Sequence, residues 1–148
     1  MVMESSNTDM GNQQFSGSAL SYFDSYSRLK MPVAELCQIY LQNVDPIIKL
    51  LHRPTLSRWM LQGEKYLAYP DHHPSLESLS LAVCYAATIS MSEDQSQAIF
   101  DTSKINSVSS YQTACETAIS KSDLLRSRDI ITLQAFVLYL VRSRCLFP

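Results

Sequence analysis

The residues able to do chemistry in this chain are few and poorly grouped. Asp71-His72-His73 places a carboxylate beside two imidazoles, the donor types that hold divalent metals. Pro70 and Pro74 bracket the triplet, no apolar strand leads into it, and no second Asp-rich motif supplies further ligands. A polar loop between prolines is the reading that survives. The four cysteines, Cys37, Cys84, Cys115 and Cys145, lie tens of residues apart with no Cys-x-x-Cys pair. A zinc cluster needs closely spaced thiolates, so these cysteines cannot form one. The first three sit among apolar neighbours at helical spacing, where a thiol acts as a small buried hydrophobe, and all four are expected to be reduced. His52 is expected to bond a backbone carbonyl near a helix end. Without a Gly-rich phosphate loop or a nucleophile paired with an oriented base, the chain reads as a non-enzyme that carries no cofactor and no metal.

The elements that must position these residues are helical. Val33, Leu36, Cys37, Tyr40, Leu41 and Val44 recur on one helix face, with Pro32 suited to a first turn. Asn43 to Pro46 is expected to break that helix, with Asp45 as N-cap and Pro46 as first residue of a second, buried helix through Ile47, Ile48, Leu50 and Leu51. Arg53-Pro54 would end it, and a third helix from Thr55 to Gln62 would stop at Gly63. Ser75 is expected to cap a long interior helix running through Leu76 to Ile89, apolar on nearly every side. Ser92-Glu93-Asp94-Gln95 has the capping-box order for a short helix to Phe100. Ser103 to Ser122 carries Ile105, Val108, Tyr111, Cys115, Ala118 and Ile119 at helical spacing. A last helix follows Ser127 or Asp129. Its apolar run from Ile130 to Val141 is too short and too polar to span a membrane, and so apolar that neighbours or another chain must cover it.

The predicted architecture is therefore all-α: an irregular bundle of about five to six helices over residues 29–148, preceded by a disordered polar tail over residues 1–28. Phe15, Leu20, Tyr22, Phe23 and Tyr26 in that tail could act as a docking motif, against a plain linker. Twelve Lys and Arg against fourteen Asp and Glu leave a net charge of −2. The cations are scattered apart from Arg126-Ser127-Arg128 and later Arg142 and Arg144, so this chain alone is not expected to hold DNA. No apolar leader is visible near Met1, which predicts a soluble intracellular chain without a membrane partner.

Three ordered blocks carry a family resemblance. The first is Val44-Asp45-Pro46 followed by His52-Arg53-Pro54-Thr55. The second is Pro74-Ser75-Leu76-Glu77-Ser78-Leu79 running into Ala82 to Ala87. The third is Asp129-Ile130-Ile131-Thr132-Leu133-Gln134-Ala135, with Tyr111, Ala114 and Ala118 before it. They resemble the opening of the fungal-specific transcription factor domain, the middle homology region of zinc binuclear cluster regulators, over residues 32–145. The resemblance marks Val44, Asp45, Pro46, His52, Pro54, Thr55, Leu133, Gln134 and Ala135 as structural signature positions. It implies a helical domain of which this chain holds the first portion, so that the chain is a regulator or a truncated fragment of one, whose missing remainder would pack against the last helix. It also implies nuclear localisation (cytoplasmic without it), and regulation of metabolic or secondary-metabolite gene clusters through a protein partner, either a family regulator or the transcription machinery. The six-cysteine zinc cluster of such proteins is missing. A small helical scaffold or a ligand-sensing module stays open as the alternative, with a small-molecule effector or partner contacts among Tyr40, Trp59, Tyr85 and Tyr139.

Overall fold

The structure, a computed structural model, describes residues 32–126 and 128–145; the predicted tail lies outside them. Among the described residues there are six α-helices and no strand. They are α1 (Val33–Ile39), α2 (Arg53–Gln62), α3 (Pro74–Ser90), α4 (Glu93–Phe100), α5 (Lys104–Lys121) and α6 (Ile130–Cys145), with a π-helical turn, Tyr40–Val44, continuing α1 without a break. The fold is all-α, as the periodicities require.

The long apolar helix α3 is the axis of the core. Every residue from Ser78 to Ile89 is buried, because α5 and α6 pack along it while α1 and its π turn cover another side. A helix apolar all round finds no stable place except surrounded. Its polar residues are satisfied internally: Thr88 Oγ1 donates to the Cys84 carbonyl at 2.7 Å and Ser78 Oγ to the Pro74 carbonyl at 3.1 Å. From α6, Ile131, Ala135 and Leu138 enter the core at i, i+4 and i+7. No helix among the described residues is long and apolar enough to cross a membrane.

Local signals set most helix ends. Gly63 stops α2 in the left-handed region at φ 72°, where a side chain would be strained. Ser92 and Gln95 form the reciprocal capping box at the start of α4. Ser103 caps α5, its hydroxyl accepting from the Asn106 N–H.

Several expectations fail. The second helix does not form. Ile47 and Ile48 both donate their N–H groups back to the Val44 carbonyl, at 3.0 and 2.8 Å, so the chain closes a turn on the first helix and leaves residues 48–50 without helix. A segment of that length cannot offset the cost of nucleating a helix. Asp45 is consequently no N-cap: it ends the π turn in the α region at φ −55°, its N–H bonded to the Tyr40 carbonyl at 2.9 Å. Ile47, expected inside, is 62% exposed, and of that run only Leu51 is buried. The second failure is Ser75. Pro74 prefers the first helical position, which moves the N-cap to His73, whose Nδ1 accepts from the Ser75 N–H at 3.2 Å. The third is Ile105, 79% exposed at the start of α5 rather than on its packed face.

Candidate functional site

The signature residues are held by local bonds and by one bond that reaches across 84 residues to Leu50. Asp45, buried beside Val44, receives Arg53 Nη1 at 3.4 Å and so fastens the corner after the π turn to the first turn of α2. Arg53 and Pro54 open α2 instead of ending the segment before it. His52 stands at the start of that helix, not near a helix C-terminus, and its Nδ1 pairs with Thr55 Oγ1 at 2.7 Å rather than with a backbone carbonyl. Pro46, His52 and Pro54 are exposed. Asn43 Nδ2 donates to Ser90 Oγ at 3.3 Å, tying the π turn to the end of α3. From the third block, Gln134 Nε2 donates to the Leu50 carbonyl at 3.3 Å, Ala135 is fully buried, and Leu133 is 48% exposed. α6 thus supplies a donor to the non-helical segment that lies between the two parts of the first block.

A second polar cluster joins the starts of α3 and α6. Ser75 Oγ donates to Asp129 Oδ2 at 2.6 Å and pairs with Thr132 Oγ1 at 2.8 Å. Tyr69 OH donates to Asp129 Oδ1 at 2.5 Å, and that oxygen also accepts the Ile131 N–H at 3.0 Å. Burial works to raise the Asp129 pKa, but the bonds from Ser75, Tyr69 and Ile131 and the nearby His73 outweigh it and hold the carboxyl below its ordinary range. The same bond pushes the Tyr69 phenol up to about 12. These are Ser, His and Asp side chains, yet they form no catalytic triad. The His73 ring does not lie between hydroxyl and carboxylate, since Nδ1 accepts a backbone N–H and Ser75 Oγ reaches Asp129 directly; Ser75 itself is 3% exposed. Sequence reasoning missed this cluster because Ser75 and Asp129 are 54 residues apart, although both fall in blocks of the resemblance.

Asp71 and His72 are exposed on the loop before α3, with His72 at φ 64°. Among the described residues no group of three or more His, Cys, Asp or Glu could hold a metal ion. Cys37, Cys84 and Cys115 are buried thiols outside any disulfide, and burial pushes the Cys37 thiol up to about 11 and the Cys84 thiol higher still. The side chain of Cys145 lies outside the described residues.

The four aromatic candidates fall into separate contacts. Tyr85 and Tyr139 stack with ring centroids 5.6 Å apart, and the Tyr139 hydroxyl donates to Glu116 on α5. Trp59 meets Tyr66 edge to face at 5.1 Å, and Tyr66, Tyr69 and His73 continue that series of rings. Tyr40 is fully buried, and its hydroxyl and Gln134 Oε1 are the buried side-chain atoms without a hydrogen-bond partner among the described residues.

Comparison with known proteins gives this geometry a context. The chain is 53% identical over 122 residues to the C6 finger domain transcription factor adaR of Aspergillus niger, a match covering 81% of this chain and 16% of that protein. It is 56% identical over 110 residues to the C6 finger domain transcription factor nscR of Arthroderma benhamiae, covering 74% of this chain and 16% of the relative. For nscR of Aspergillus fumigatus the figures are 52% over 111 residues, 74% and 14%. The chain spans about one sixth of the length of the curated relatives it matches. No family model matches it, and no solved structure does.

Proposed function

We propose that this chain, a homologue of one segment of the fungal C6 finger domain transcription factors, is a transcription-regulator segment that acts by protein contacts in the nucleus. The observation that carries this reading is the identity of more than half over four fifths of the chain to such a factor. The finer assignment to the middle homology region rests on the three motif blocks, and Gln134 of the third bonds the Leu50 carbonyl between the two parts of the first. The pairs Asp45–Arg53, Gln134–Leu50 and Ser75–Asp129 are structural fastenings, and the fold supplies a rigid surface rather than a reaction. Control of a secondary-metabolite gene cluster is the pathway-level reading.

Binding to DNA by this chain alone is disfavoured by a net charge of −2 without a basic stripe. The test is a fungal reporter with the chain tethered to a foreign DNA-binding domain, run beside co-purification with full-length relatives. A change in reporter output or a stable complex supports the reading; no effect and no complex sinks it. A ligand-sensing module is the second reading, favoured by the Tyr40 hydroxyl and Gln134 Oε1, which have no hydrogen-bond partner among the described residues. Native mass spectrometry would register a retained small molecule.

A further inference from the structure

We draw no further inference here: the strongest candidate, the exposed apolar stripe of Ile130, Leu133 and Leu140 on the outer face of α6, carries none, because nothing in the structure shows what covers it.

Discussion

Ser75 Oγ donates to Asp129 Oδ2 at 2.6 Å, and through this bond the first turn of the central helix holds the start of the last one. Ser75 is buried and its acceptor is ionised, so the bond belongs to the stronger class. Ser75→Ala is expected to destabilise the fold by about 1.5–3 kcal/mol, much of it from the carboxylate oxygen left behind. Urea unfolding followed by circular dichroism measures it. A loss within error of zero would mean that solvent already serves Asp129.

The depressed Asp129 pKa sets the acid limit. Because its folded value lies below its unfolded one, the stabilisation is present above the ordinary carboxylate range and is lost as pH falls through the folded value. Asp129→Asn should lower Tm at neutral pH and flatten the fall of Tm on the acid side. Parallel acid titrations of the two proteins would show that the carboxylate is not responsible. Tyr69 gives the alkaline counterpart. Its phenol is raised to about 12, so its contribution is complete below the unfolded value near 10 and disappears as pH rises through about 12.

Glu77 behaves in the opposite sense to Asp129. Burial in the first turn of α3 raises it to about 7, with Lys121 pulling the other way. A carboxyl whose folded value lies above its unfolded one favours the fold below pH 4.5 and loses that contribution as pH rises to about 7. Glu77→Gln is therefore expected to raise stability at pH 8 and to change little at pH 4. The gain should be about 1 kcal/mol, since solvent screens a group that is only half buried. Tm against pH for parent and variant decides; a variant less stable at pH 8 would show that the pairing with Lys121 outweighs desolvation.

Tyr40 allows a sharper test of what the core tolerates. Its ring is fully buried, but its hydroxyl has no partner among the described residues. Removing only that oxygen deletes an unsatisfied polar group, so Tyr40→Phe should be neutral or stabilising by about 1 kcal/mol. Tyr40→Ala, which opens a cavity, should cost about 3–5 kcal/mol. A clear loss in the Phe variant would reveal a partner for the hydroxyl, the result that a bound small molecule or water would give.

Residues acting within a few positions of themselves were legible in the sequence. Gly63 and the Ser92–Gln95 box mark their helix ends by local backbone chemistry, and the all-round apolar pattern of Leu76 to Ile89 requires a central position. Asp45-Pro46 misled because it carries a correct helix-start signal whose segment is too short to nucleate, so the π turn and its backbone bonds won. Ser75–Asp129 and Gln134–Leu50 were invisible because pairing over 54 and 84 residues leaves no local pattern.

Cys37, Cys84 and Cys115 supply the last test, since one measurement reports both their burial and the integrity of the core. The first two are fully buried, on α1 and the central helix, and Cys115 is fully buried on α5. The thiolate is the reactive form, and with Cys37 raised to about 11 and Cys84 higher, almost none is present at pH 8. Alkylation with iodoacetamide in native buffer, read by peptide mapping, should leave these three unmodified, whereas denaturant should expose them together if the fold opens as one unit. Selective native labelling of Cys37 would place a local opening at α1 and its π turn, where Asn43–Ser90 and the half-exposed Asp45–Arg53 pair are the fastenings. In that case Asn43→Ala should accelerate the labelling of Cys37 and leave that of Cys115 unchanged.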